Sequence, residues 1–144
     1  MSSRVRIKSF VLLVLGSAIL LPVVAAEPAA APATLSADSP EYKRGKLLFI
    51  QCRACHDLQV GKPHKVGPNL HGFVGRKAGT IEGFSFSAAL KGSALTWDDA
   101  TILQWLEKPS ALVPGNTMAF AGIANPKDRN AMLVYLKAES QAAN

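Results

Sequence analysis

Cys52-Arg53-Ala54-Cys55-His56 is the stretch that decides how the rest of this chain is read. The spacing C-x-x-C-H is that of a covalent attachment site for a c-type haem. Two thiols must reach two vinyl groups on one edge of a porphyrin, and the neighbouring imidazole must then lie under the iron. Consecutive turns of a helix beginning at Cys52 meet that demand. Other uses of the pattern fit less well. Thioredoxin-like C-x-x-C sites sit in a βαβ context, which this chain lacks. A zinc site wants a second ligand pair. Here there are 2 cysteines in all, and His64 and His71 are not spaced as an H-x3–5-H pair. A tight disulfide is the remaining structural alternative. The expected cofactor is one haem c on Cys52 and Cys55, with His56 as an axial ligand.

Part of the 144-residue length is not fold. Arg4, Arg6 and Lys8 precede an apolar stretch from Phe10 to Leu21, and Pro22 breaks it. Val24-Ala25-Ala26 places small residues where a signal peptidase cuts, so residues 1–26 read as a signal peptide. A retained anchor is the alternative, because the uncharged run from Ser9 to Ala26 is 18 residues long, near the lower limit for crossing a bilayer. Residues 27–39 are Ala/Pro-rich and read as a linker, a feature better suited to a tethered protein than to a free one. The expected folded domain is 40–138, with 139–144 a tail. Loss of Arg4, Arg6 and Lys8 leaves 13 basic against 10 acidic side chains, a net +3. That mild charge, without clustered Lys and Arg, argues against nucleic-acid binding.

The elements predict an all-α fold. Ser39-Pro40-Glu41 reads as cap, first-turn proline and first-turn acid for a helix to about Gln51. Gly45 and Phe49 share one face of it. From Asp57 to Gly83 the text is glycine-rich and aperiodic, a long loop suited to wrapping a prosthetic group. Thr96-Trp97-Asp98-Asp99 resembles a capping box for a helix ending at Lys108, before Pro109, with Trp97, Ile102, Trp105 and Leu106 on its apolar face. Residues 110–124 read as another loop. Asn125 and Pro126 open the last helix, which carries Met132, Leu133, Tyr135 and Leu136. The fold class is therefore three main helices plus long loops around a covalent haem.

A sixth ligand decides between chemistries, since an open iron binds gases or peroxide while a filled one passes electrons. Candidates are Met118, Met132, His64, His71 and lysines; Met1 leaves with the signal. Met132 lies on an apolar helix face and reads as core. His64 and His71 follow the attachment site closely and reach the opposite face with difficulty. Met118 sits in the loop Pro114-Gly115-Asn116-Thr117-Met118-Ala119-Phe120. Loop methionines often fill gaps, but beside a haem motif a ligand is the better reading, and His/Met ligation raises the reduction potential.

Together these stretches resemble class I cytochrome c, in its mitochondrial-type and bacterial cytochrome c2-like branch. The resemblance runs from about Glu41 to Lys137. It is carried by Cys52-Arg53-Ala54-Cys55-His56, Lys65-Val66-Gly67-Pro68-Asn69-Leu70-His71-Gly72, Gly75-Arg76-Lys77-Ala78-Gly79, Leu95-Thr96-Trp97, Tyr135-Leu136-Lys137 and the stretch from Pro114 to Ile123. The resemblance implies thioethers at Cys52 and Cys55, and axial ligands at His56 and Met118. It implies a Pro68 carbonyl that accepts a hydrogen bond from the His56 ring. Arg76 and Trp97 would hold the propionates, Thr117 and Phe120 would shape the distal loop, and Gly45 and Phe49 would pack on Tyr135. Departures stand at Phe86, Leu90 and Trp105, where the mitochondrial pattern has Tyr, Asn and Tyr beside the haem. The usual lysine ring is thinned to Lys46, Lys65 and Lys108.

The expected function is a one-electron carrier in a bacterial respiratory or photosynthetic chain, not an enzyme. It would be periplasmic, monomeric and touch a membrane only through an N-terminal anchor. The family implies a bc1-type donor and a terminal oxidase or reaction centre as acceptor. Docking is expected to be weak, fast and steered by charge, with rates falling as salt rises. The rivals are a cytochrome subunit of a periplasmic dehydrogenase and a small haem peroxidase, which Met118 would block. A redox sensor ranks last, as no output domain is present.

Overall fold

The computed structural model describes residues 37–141. The expected signal peptide, most of the expected linker and the end of the tail lie outside the described residues. The elements are α1 (Pro40–Leu48), a 3-10 turn (Phe49–Gln51), α2 (Ala88–Gly92), α3 (Asp99–Glu107), α4 (Pro109–Leu112) and α5 (Pro126–Ser140). Among the described residues there is no strand, only an isolated antiparallel bridge between Lys77 and Thr96. No helix of the described residues is long and apolar enough to cross a membrane.

Helix α1 starts where local chemistry dictates. The Ser39 hydroxyl accepts from the Tyr42 N–H at 3.0 Å, Pro40 follows, and Glu41 and Lys46 sit at the ends that suit the helix dipole. Helix α5 repeats the device with Asn125, whose side chain accepts from the Lys127 N–H, and Pro126. The two helices cross at Gly45. A Cβ there would collide with the Ala131 carbonyl oxygen and stand 2.6 Å from Tyr135 Cβ, so the crossing requires a residue without a side chain. Tyr42 and Phe49 flank the crossing, with ring centroids 5.2 and 5.4 Å from that of Tyr135. Arg44 grips Asp128 bidentately at 2.9 and 2.8 Å beside it.

Two apolar clusters result. One joins α1, the 3-10 turn, α3 and α5 through Tyr42, Phe49, Ile102, Leu106, Met132 and Leu136. The other centres on Ala78, Leu90 and Val113, with Phe86, Trp97 and Trp105 against it. Each large apolar side chain so buried contributes about 1.5–3 kcal/mol.

The structure corrects the expected start of α3. Asp98, not Thr96, is the cap, its carboxylate accepting from the Thr101 N–H at 2.7 Å. Trp97 therefore lies outside the helix. Its N–H donates to the Arg76 carbonyl at 3.0 Å and its carbonyl accepts from Gly75 N–H at 2.9 Å. This pairing to the long loop outcompetes a further helical turn. The short helix α4 stands largely where loop was expected, and α2 in a stretch to which no element was assigned. Ser87 caps α2 and Pro109 opens α4, signals too brief to show a period.

Candidate haem site

Past Gln51 the chain keeps a helical turn. The Cys52 and Arg53 N–H groups donate to the Phe49 carbonyl at 2.8 and 3.0 Å, and those of Cys55 and His56 donate to the Cys52 carbonyl at 3.0 and 2.9 Å. This coil brings Cys52, Cys55 and His56 to one side, where all three line a cavity of about 180 Å³. An adjoining cavity of about 80 Å³ continues it inward. Cys52, His56, Phe86, Trp105 and Met118 line both, so the two are parts of one cleft between the apolar clusters.

The imidazole is held in one tautomer and one plane. His56 Nδ1 donates to the Pro68 carbonyl at 2.8 Å. Carbonyls only accept, so Nδ1 carries the proton and Nε2 keeps its lone pair. Gly67 lies flat against the ring; a Cβ there would overlap it, coming within 2.8 Å of Nδ1 and 2.9 Å of Nε2. Burial holds the His56 pKa below the usual imidazole value, opposed by the bond to Pro68 and aided by the Lys65 cation. The ring is therefore neutral at pH 7, the form that binds a metal. Burial also pushes the Cys52 thiol up to about 11, with Cys55 adding to the shift. That keeps the unattached thiol protonated and sluggish toward oxidation.

Of the candidate sixth ligands, Met118 alone lines the cleft with His56. Met132 is fully buried in the core instead. Both nitrogens of His64 are engaged, Nε2 donating to the Glu82 carbonyl at 2.9 Å and Nδ1 accepting from the Asn69 N–H at 3.0 Å. His71 lines neither cavity. The loop carrying Met118 is pinned: Asn116 accepts from the Met118 N–H at 3.0 Å and donates to the Val113 carbonyl at 2.8 Å.

Other expected site residues are placed unequally. Pro68, Trp105 and Phe120 line the larger cavity and Trp97 the smaller. Trp97 stacks edge-on against Trp105 with centroids 5.2 Å apart. Arg76 is exposed and lines neither cavity, and its backbone carbonyl accepts from the Trp97 N–H. Two residues escaped the sequence reading. Asn116 is one, although an Asn two residues before the favoured ligand is a recognisable turn signal. Asn69 is the other: its amide donates to the Gln59 and Lys62 carbonyls, both at 2.8 Å, and its oxygen accepts from His71 N–H at 2.8 Å. It ties the loop that carries Pro68, and no local pattern announces those partners.

Two thiols, a neutral imidazole nitrogen and a thioether around a largely apolar cleft fit a covalently held haem. An all-α protein built around such a site is a c-type haem protein. No family model matches the chain. Relatives do. Cytochrome c of Arabidopsis thaliana is 41% identical over 102 residues, covering 70% of this chain and 91% of that one. Cytochrome c2 iso-2 of Magnetospirillum molischianum is 51% identical over 89 residues, covering 62% and 91%. The solved structure of cytochrome cH from Methylobacterium extorquens matches with a TM-score of 0.63 at 45% identity, over 67% of this chain and 96% of that one. The chain belongs to the class I cytochrome c family, electron carriers rather than enzymes, with one covalently bound haem c.

Proposed function

We propose that this chain is an exported bacterial electron carrier, in which His56 and Met118 would be the two protein ligands of the haem iron. The observation that carries the reading is the presence of His56 and Met118, alone among the candidate ligands, on both parts of one cleft. When bound, the haem supplies a reversible one-electron centre. The residues of the chain do the rest. Cys52 and Cys55 tether the group. Pro68 and Gly67 hold the plane of His56. Asn116 holds the Met118 loop. Trp105, Phe86 and Phe120 keep water from the cleft. Trp97 and its backbone partner Arg76 are the donors proposed for the propionates.

The leader 1–26, the linker 27–39 and the folded domain 40–138 with its tail 139–144 belong to this proposal, and so does the periplasm. The carrier acts as a monomer between a bc1-type donor and a terminal oxidase or photosynthetic reaction centre. Mass spectrometry of the native protein tests it. The expected mass is that of the chain from Glu27 plus one haem; a mass retaining the leader would support the tethered form, and a mass without haem would overturn the proposal. The spectrum of the reduced and oxidised protein tests the ligands, and a vacant iron site in both states would refute Met118.

A further inference from the structure

One short segment closes the end of the attachment turn. A helical run leaves its last four carbonyls without donors of its own, here those of Arg53, Ala54, Cys55 and His56. Residues 65–67 take three of them. Lys65 Nζ donates to the Arg53 carbonyl at 3.0 Å and the His56 carbonyl at 3.3 Å, and the Gly67 N–H donates to the Cys55 carbonyl at 2.9 Å. A lysine ammonium suits this end of a helical run, where the carbonyl dipoles gather negative charge. The same segment then holds the imidazole, through the face of Gly67 and the Pro68 carbonyl.

Lys65 brings a formal charge to this clamp from outside the cleft, since it lines neither part of it. It lines instead a separate groove of about 370 Å³, with Arg53, His56, Asp57 and Glu139 among the walls. Arg53 is exposed, and Glu139 accepts from the Tyr42 hydroxyl. The Asp57 carboxylate stands 3.4 Å from Lys65 Nζ and is itself fixed, accepting from the Leu58 and Gln59 N–H groups at 2.9 and 3.2 Å. The field of Lys65 reaches the imidazole: burial holds the His56 pKa down, and the Lys65 cation adds to that against the bond to Pro68.

We propose that Lys65 is a positioning residue of the redox centre: its ammonium fixes the end of the attachment turn and, as a cation held against His56, favours the reduced state, while Asp57 opposes it. The inference deepens the carrier reading above and rests on its assignment of His56. Loss of one electron leaves the centre one positive charge richer, so a fixed cation nearby disfavours the oxidised state and a fixed anion favours it. The Lys65 and Asp57 side chains are 38% and 23% exposed, and water screening keeps each effect modest.

Redox titration of the full holo-protein at pH 7 and low salt, against a mediator held at one potential, reads the ratio of reduced to oxidised protein. Lys65→Met should move that ratio about threefold toward oxidised, and Asp57→Asn about threefold toward reduced. The asparagine keeps the oxygen that accepts from Leu58 and Gln59, so it removes charge and little else. Lys65→Arg keeps the cation and should stay within about 1.5-fold of wild type. A purely structural role would lower the urea midpoint of these variants without opposite shifts in the ratio. An unmoved ratio in Lys65→Met, or shifts of one sign in Lys65→Met and Asp57→Asn, would overturn the proposal. If Lys65→Met does not fold around its haem, Asp57→Asn decides alone, and a ratio equal to wild type sinks the idea. Failure of the ligand reading shows separately, as a wild-type absorption spectrum without imidazole and thioether ligation.

Discussion

Replacing Gly67 by Ala is the sharpest test of how the chain holds His56. The backbone of Gly67 does not lie in the left-handed region, so alanine meets no strain of its own and the effect comes from contact alone. The added methyl would overlap the imidazole, with 2.8 Å to Nδ1 and 2.9 Å to Nε2. Neither side yields easily. The Gly67 N–H is tied to the Cys55 carbonyl at 2.9 Å and the ring to the Pro68 carbonyl at 2.8 Å. Overpacking of this kind costs about 1–3 kcal/mol, and losing the ring's hydrogen bond costs about 1 kcal/mol more. The sum, about 2–4 kcal/mol, should lower the urea midpoint by about 1–2 M for a slope near 2 kcal/mol/M. The assay is urea unfolding of the holo-protein followed by haem absorbance, with a potential measured alongside. Gly61→Ala is the control, since nothing lies within 4 Å of its Cβ and only its φ of 71° is strained; it should lose stability without moving the potential. A Gly67→Ala variant within about 0.5 kcal/mol of wild type and of unchanged potential would refute the reasoning.

Met118→Ala should open the iron to exogenous ligands and lower the reduction potential; carbon monoxide binding and redox titration read both, and an unchanged spectrum would exclude Met118 as the ligand. Asn116→Ala removes both bonds that pin the Met118 loop, at about 1 kcal/mol each, and should make imidazole displace the methionine more readily in a ligand titration. Gly45→Ala brings a methyl against Ala131 and Tyr135; an overpacking cost of about 1–3 kcal/mol outweighs the helix-propensity gain of about 1 kcal/mol, so thermal unfolding should come earlier. Tyr42 is held up to about 12 by its bond to Glu139, then by burial and the nearby Glu139 charge, against about 10 in an unfolded chain. The neutral phenol thus favours the folded state. Its contribution is complete below pH 10 and is lost as pH rises toward 12; unfolding compared at pH 9 and pH 11.5 should show a larger loss in wild type than in Tyr42→Phe, where Tyr135, also held up by burial and Glu139, still contributes.

Lys65 belongs to the thinned ring that the resemblance implies, and its ammonium also donates to the Arg53 and His56 carbonyls, bonds 12 and 9 residues apart that close the attachment turn and that no spacing announces. The Arg76 carbonyl likewise accepts from the Trp97 N–H across the long loop.

What the sequence alone determined is what short-range chemistry controls. The Ser39-Pro40 and Asn125-Pro126 starts depend on atoms within one turn, and both appear where read. Cys52, Cys55 and His56 are grouped by spacing alone, because one helical turn suffices to align them. The tertiary structure decided the rest, because the deciding partners are distant in the chain. The sequence already separated Met132, on an apolar helix face, from Met118 in its loop, but only the packing shows that Met132 is fully buried and that Met118 shares a cleft with His56. Trp97 leaves its expected helix because a bridge to residues 75–77 supplies better hydrogen bonds than another helical turn. Asn69 gains its role from carbonyls 7 and 10 residues away. No local period encodes such bonds, since they exist only once the loops have closed.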